Sequence, residues 1–176
     1  MHVNPYGEGA VKLGVVLANA APTSMSKIRS YCQEAGLLLP NDSIDGVSYV
    51  REFIDEWATL ADIAEPEGRA NTLNALLALH TQTPSITNHA GDGWHLHFRS
   101  LELPSPRVIT AFISAGTALH FVNRGIQRLS RCADLTCRKV FADFSRPGSQ
   151  RYCSNPCANR DAVRRHRSRQ ALGQAR

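Results

Sequence analysis

The spacing of apolar residues divides the chain into helical stretches, one short stretch of strand periodicity and a C-terminal run with little apolar pattern. Up to Leu13 the pattern is irregular. Ser24 then precedes a short helix over Met25–Ala35 that Gly36 stops. Pro40-Asn41-Asp42-Ser43 has turn composition, and Asp45 is placed to cap the next element. Val47, Val50, Phe53, Ile54, Trp57, Leu60 and Ile63 recur every three or four residues, the stripe of a core-facing amphipathic helix. Pro66-Glu67-Gly68 interrupts it. Leu73, Leu76, Leu77 and His80 mark a further helix, and Pro104-Ser105-Pro106 opens a long one. Its stripe runs through Val108, Ile109, Phe112, Ile113, Leu119, Val122, Ile126 and Leu129.

Between these helices the period changes to two. Trp94, Leu96 and Phe98 alternate with His95 and His97, and Ala90-Gly91-Asp92-Gly93 supplies a turn. Ser85-Ile86-Thr87 is therefore expected to pair back as a β-hairpin. The alternation predicts His95 and His97 on the solvated face, and both tryptophans, Trp57 and Trp94, in the core. Cys32 lies inside a helix with no Cys or His close in sequence and reads as a structural thiol.

Charge adds a second division. The chain has 176 residues and a formal net charge of +5. Residues 124–176 hold 13 Arg and Lys against 3 Asp and Glu, while residues 1–123 are net acidic. Seventeen of the twenty basic residues are Arg, whose forked guanidinium suits phosphate and carboxylate. The N-terminal Leu13–Leu17 stretch before Ala18-Asn19-Ala20 imitates a signal peptide, but Glu8 and a lone Lys12 make a poor basic leader. Val108–Asn123 is too short and too polar to span a membrane. A soluble cytoplasmic protein with no membrane partner is the expectation.

The remaining chemistry is concentrated in the cysteines. Cys132 and Cys137 are spaced C-x4-C, and Cys153 and Cys157 are spaced C-x3-C after fifteen residues. Each short spacing turns two sulfurs onto one ion, and the intervening segment brings the pairs together, which is the ligand pattern of tetrahedral zinc. Pro147-Gly148 is expected to turn a hairpin between Val140-Phe141 and Arg151-Tyr152. The second pair opens a helix from Cys157 to about Leu172, whose first-turn N–H groups can bond the thiolates. Closed four-sulfur coordination leaves no position for a reacting water, so one structural Zn²⁺ is the expected cofactor and catalysis is not expected. So few apolar residues accompany the cysteines that the metal must supply much of the module's folding free energy.

The run Cys132…Cys137…Phe141-x-Asp143-x-Ser145-Arg146…Arg151-Tyr152-Cys153-Ser154…Cys157-Ala158-Asn159-Arg160 resembles the CGNR zinc finger of bacteria. In that family the finger follows a mostly helical ABATE domain, and the whole is described as a stress-induced transcriptional regulator. Leu13–Ala20, Leu73–Leu77 and Asp92-Gly93-Trp94 loosely resemble ABATE elements. Val16 and Ala20 stand where those elements carry Asp and Thr, and Ala158 replaces the signature Gly. The resemblance implies an α+β chain. Residues 1–128 would form a mostly helical ABATE-like domain with one β-hairpin, sensing a small-molecule effector or forming a homodimer. Residues 129–176 would form a treble-clef-like zinc module of knuckle, hairpin and basic helix.

The basic helix carries Arg160, Arg164, Arg165, Arg167, Arg169 and, beyond it, Arg176. Arg160, Arg164 and Arg167 lie within about 60° on one face, and Arg165 and Arg169 form a second row. With little apolar surface to bury, such a helix is either solvated or a polyanion contact, and double-stranded DNA is the expected partner. Arg160 has a local alternative, pairing with Asp143 or bracing the zinc–thiolate charge. Asn159 is placed to bond the zinc loop, and Asp143, Ser145 and Arg151 read as supports of the module. The competing readings are a zinc-stabilised protein–protein adaptor, and a small-molecule or enzymatic site on the N-terminal region drawing on His80, His95 or His97.

Overall fold

The computed structural model describes residues 7–88, 94–100 and 102–174; the Ala90–Gly93 turn and Arg176 lie outside them. The architecture is α+β: six helices and two antiparallel β-ribbons among the described residues. The elements are α1 (Glu8–Ala20), α2 (Met25–Glu34), α3 (Val47–Thr59), α4 (Pro66–His80), β1 (Ser85–Thr87), β2 (His95–His97), α5 (Ser105–Arg124), β3 (Leu129–Arg131), β4 (Val140–Ala142) and α6 (Asn155–Gln174).

Helix α1 departs from the irregular start expected of the sequence. Ala10, Val11, Leu13, Gly14 and Leu17 are its buried face, spaced as a helix requires. The stripe is short in large side chains because α1 crosses α5 closely. A Cβ on Gly116 of α5 would sit 2.2 Å from the Ala10 Cβ, and one on Gly14 would meet the Trp57 ring at 2.8 Å. Small residues thus set the interhelical distance, and Trp57 fills the space beside them. Its ring is fully buried, and its Nε1 donates to Thr117 Oγ1 at 2.9 Å, so the one polar atom of the ring is satisfied.

Local signals set most helix limits. The Ser24 hydroxyl accepts from the Lys27 N–H to cap α2, and Asp45 accepts from the Val47 N–H at the start of α3. Pro66 occupies the first turn of α4, where a missing N–H costs nothing, so the Pro-Glu-Gly segment starts a helix rather than interrupting one. Helix α5 is buried on almost every side from Ser105 to Thr117. Asp42 accepts from the Ser105 N–H and hydroxyl at 2.9 Å each, and is itself held by Arg29. Gly125, at φ 111°, ends α5 after Arg124, so the apolar stripe expected on one helix is divided. Val122 is exposed, Ile126 lies past the helix, and Leu129 belongs to β3.

The β1–β2 ribbon forms with Ile86 opposite Leu96, but its burial is inverted. Trp94 is 75% exposed and Leu96 47%, whereas His97 is buried at 8%. The His97 parity faces α5, beside Ala111 and Phe112, and the Gln82 N–H to Phe98 carbonyl bond extends the ribbon's pairing by a further rung. Trp94 is therefore not a core residue, and His97 is not on a solvated face. The side chain of His95 lies outside the described set. His80 is enclosed by Phe53 and Tyr49, whose hydroxyl lies 3.1 Å from Nδ1, and burial pushes its pKa down. Cys32 is fully buried, and burial pushes its thiol up to about 12.

The core does not stop at residue 128. Leu129, Val140 and Ala142 join the same cluster as Val11, Leu17 and Trp57. The Asn19 side chain bonds both backbone groups of Val140, donating to its carbonyl at 2.8 Å and accepting from its N–H at 3.0 Å. An amide thereby acts as the missing neighbour of an open strand edge. Arg69, buried in α4, donates to the carbonyls of Ile63, Ile126 and Leu129, and Arg131 pairs with Asp62 at 2.9 Å. Among the described residues, no helix is long and apolar enough to cross a membrane.

Gly116→Val is expected to lower stability by about 1–3 kcal/mol through overpacking. Chemical denaturation measures it, and an unchanged midpoint would contradict the close α1–α5 crossing.

Candidate metal centre

The first cysteine pair is set by a tight knuckle after β3. Asp134 shapes it: its carbonyl accepts from the Cys137 N–H at 2.8 Å, and its Oδ1 accepts from the N–H and hydroxyl of Thr136. The Cys132 N–H bonds the Lys139 carbonyl at 2.9 Å and closes the loop. The second pair straddles the start of α6, with Cys153 just before it and Cys157 in its first turn. The Cys153 N–H donates to Cys132 Sγ at 3.4 Å, tying the two pairs together. This backbone bond to sulfur comes from ahead of the helix rather than from its first turn.

All four sulfurs lie within 4.8 Å of one another. Cys153 Sγ is 3.6 Å from both Cys137 Sγ and Cys157 Sγ. Four sulfurs placed tetrahedrally about 2.3 Å from zinc are about 3.8 Å apart. A disulfide requires about 2.05 Å, and all four cysteines are free. The donor set and its spacing fit one structural zinc ion with a closed shell. The Ser154 hydroxyl lies 3.3 Å from Cys157 Sγ and pulls that thiol down to about 7, while burial pushes Cys153 up to about 12. Of these two, Cys157 is the readier to ionise.

Residues 128–170 match the family model of the CGNR zinc finger. The matched segment begins beside β3 and contains the knuckle, all four cysteines and most of α6. No curated protein matches the chain. The signature position held by Ala158 lies within α6, and the Ala158 N–H donates to the Ser154 carbonyl at 3.2 Å. It has no positive φ. Alanine there costs the finger no backbone strain, and in a helix it is favoured over glycine by about 1 kcal/mol.

Arg160 sits against the sulfurs. Its Nη2 donates to Cys157 Sγ at 2.9 Å, and its Nε donates to Asp134 Oδ2 at 2.8 Å. Its partner is Asp134 in the knuckle, not Asp143. Burial would raise the Asp134 carboxyl, but the Thr136 N–H and the Arg160 guanidinium hold it below the usual carboxylate range. One guanidinium therefore links the knuckle to the helix and places positive charge beside a thiolate.

The segment between the pairs is not the hairpin expected of Pro147-Gly148. Val140–Ala142 pairs with Leu129–Arg131 instead, and the Arg151 carbonyl accepts from the Ala133 N–H. Asp143 closes the loop by accepting from the Ser145 N–H and hydroxyl and the Gln150 N–H. Arg128 donates to the Ser145 carbonyl and approaches Asp143 at 3.7 Å. The Arg151 side chain lies over the Tyr152 ring. Asn159 is exposed, and its side chain makes no hydrogen bond among the described residues.

The remaining helix arginines divide by partner. Asp161, buried in the first half of α6, takes the Tyr152 hydroxyl at 2.7 Å, Arg165 at 2.9 Å, and Arg164. Arg167 has no acidic partner among the described residues, and Arg169 reaches only the Arg165 carbonyl. Of the five arginines expected to face a polyanion, Arg160 and Arg164 are engaged in the module, Arg165 is shared, and Arg167 and Arg169 are uncommitted. Asp134 and Asp161 were missed in the sequence. The i, i+3 and i, i+4 spacing from Asp161 to Arg164 and Arg165 was a usable signal.

Cys153→Ser is expected to lose the bound zinc and unfold the module, as elemental analysis with circular dichroism would show; stoichiometric zinc in this variant would contradict a four-ligand site. Arg160→Gln is expected to retain zinc but to yield it to a chelator at roughly 10–100-fold lower chelator activity, a titration that an inert surface arginine would leave unchanged.

Proposed function

We propose that this chain is a cytoplasmic, non-enzymatic DNA-binding transcriptional regulator whose zinc module presents α6 to the duplex. The observation that carries this reading is the helix itself. It is largely exposed, exposes Val163 rather than an apolar stripe, and keeps Arg167 and Arg169 without acidic partners among the described residues, while Arg160, paired with Asp134 of the knuckle, secures its base. Cations held on a rigid helix and left uncompensated are suited to phosphate and to guanine edges in a major groove. The zinc is structural in this reading and sets the angle of the helix.

The helical body of residues 1–128 supplies the regulatory part, as an ABATE-like sensor of a small molecule or as a dimerisation unit of a stress-responsive regulator. The Asn19, Arg69 and Arg131 contacts support a direct mechanical route from that body to the zinc module. Val16 lies exposed on α1, so any role of an acid at that position in relatives would be a surface role.

Retardation of random duplex DNA at low salt is expected, with affinity falling steeply as salt rises because each neutralised phosphate releases counterions. The double variant Arg167→Gln/Arg169→Gln is expected to bind at least about 10-fold more weakly with zinc retained, and the logarithmic salt slope should fall by roughly two. An unchanged affinity would overturn the helix assignment. No retardation of any duplex by the intact zinc protein would favour the protein–protein adaptor.

A further inference from the structure

The uncharged positions of α6 carry information that its arginines do not. A helix that only neutralises phosphate gains nothing from an exposed amide or an exposed valine, since neither releases a counterion. Asn159 and Val163 are nonetheless exposed, Val163 at 50%, and the Asn159 side chain makes no hydrogen bond among the described residues. Arg167 stands one turn further along, exposed and without an acidic partner among the described residues. Residues 159, 163 and 167 recur every four positions. They therefore lie within about 80° of one another and span about 12 Å along the helix.

All three border one open groove between α6 and the cysteine knuckle. The knuckle side of the groove is Asp134 and Thr136, and it presents no free carboxylate oxygen. Asp134 is buried; its Oδ1 accepts from the N–H and hydroxyl of Thr136, and its Oδ2 accepts from Arg160. Arg160 and Arg164 also border the groove but are engaged with Asp134 and Asp161. With three arginines against one paired aspartate, the groove is positive and complementary to a duplex. What it leaves uncommitted is an amide, a branched apolar group and a guanidinium. Those are the side-chain types that distinguish base edges in a major groove. An amide pairs with N6 and N7 of adenine, an apolar group packs on the thymine methyl, and a guanidinium forks to O6 and N7 of guanine. Arg165 and Arg169 lie about 120–160° round the helix from Val163 and are left to the phosphates. Gln170, one turn beyond, is bonded to His166, so the row ends at Arg167.

We propose that Asn159, Val163 and Arg167 form the base-reading face of α6, with Asn159 selecting adenine and Arg167 selecting guanine within one double-stranded site. This rests on the DNA-binding reading above and adds to it which residues carry sequence preference and which supply charge. The two readers are about 12 Å apart along the helix, and base pairs stack at about 3.4 Å, so their bases are expected within about five base pairs of each other.

The test is selection of sites from a randomised duplex library by the full zinc-loaded chain, followed by retardation of the selected site and of random duplex at fixed salt. The unaltered chain is expected to enrich a site holding an adenine and a guanine within that spacing. Asn159→Ala is expected to reduce the preference for that adenine by roughly 5–100-fold, with random-duplex affinity and salt slope unchanged. Arg167→Lys keeps the charge and loses the fork, so it is expected to lose the guanine preference by a similar factor while retaining random-duplex affinity. Zinc content and thermal transition are expected to match the unaltered chain in both. Retardation of random duplex with no such site enriched overturns the base-reading assignment and leaves the DNA-binding reading standing. That arm needs no variant, so a misfolded variant does not shelter the proposal. A selected site whose adenine preference survives Asn159→Ala, or whose guanine preference survives Arg167→Lys, overturns it as well. No retardation of any duplex overturns both readings in favour of the protein–protein adaptor.

Discussion

Four sulfur atoms brought within 4.8 Å of one another are the constraint on which the C-terminal third depends. As thiolates they repel; as thiols they pack poorly and leave little else to hold the knuckle against the helix. A divalent cation turns that repulsion into attraction, and the surrounding residues are arranged for it. The Ser154 hydroxyl lowers Cys157, Arg160 places a positive charge against the same sulfur, and buried Asp134 fixes Arg160 while shaping the knuckle. Apart from its ribbon the module has few apolar side chains, so a metal would supply much of the free energy that folds the knuckle against the helix.

That module is not tethered loosely. Its ribbon contributes Leu129, Val140 and Ala142 to the helical core, and its open edge is completed by a side-chain amide from α1. Arg69 collects the carbonyls on either side of the link between α5 and β3. The charge asymmetry divides the molecule near residue 124, but packing does not. An acidic helical body and a basic metal module share one hydrophobic core.

Much of this was legible in the sequence. The cysteine spacing named all four ligands because metal geometry acts locally and tolerates little variation. Ser24, Asp45 and Pro104–Pro106 marked helix starts through capping chemistry, which is equally local. The failures were tertiary. Helix α1 hides its stripe because closeness to α5 selects Gly14, Gly116 and Ala10 over large side chains. The alternation of β2 placed the apolar parity inward, whereas the short ribbon packs on α5 with Trp94 outside and His97 inside, a choice of face that alternation alone does not fix. The strand partner of Val140 was misassigned because Pro147-Gly148 suggested a hairpin, and no local signal identified Leu129–Arg131 as its neighbour. Asp134, Arg69 and Asn19 act on residues that are distant in sequence or in the role they serve, so composition could not reveal them.

The functional reading follows the partition of the arginines. Arg160 at the base of α6 is held by Asp134 of the knuckle and Cys157, which ties the helix to the metal site, while Arg164 pairs with Asp161 on its own helix. The most direct test of the account is X-ray absorption at the zinc edge of the purified chain. It predicts a single zinc shell of four sulfurs at about 2.3 Å with no nitrogen or oxygen ligand. A shell containing a nitrogen or oxygen donor, or fewer than four sulfurs, would contradict a closed structural centre and the positioning of α6 derived from it.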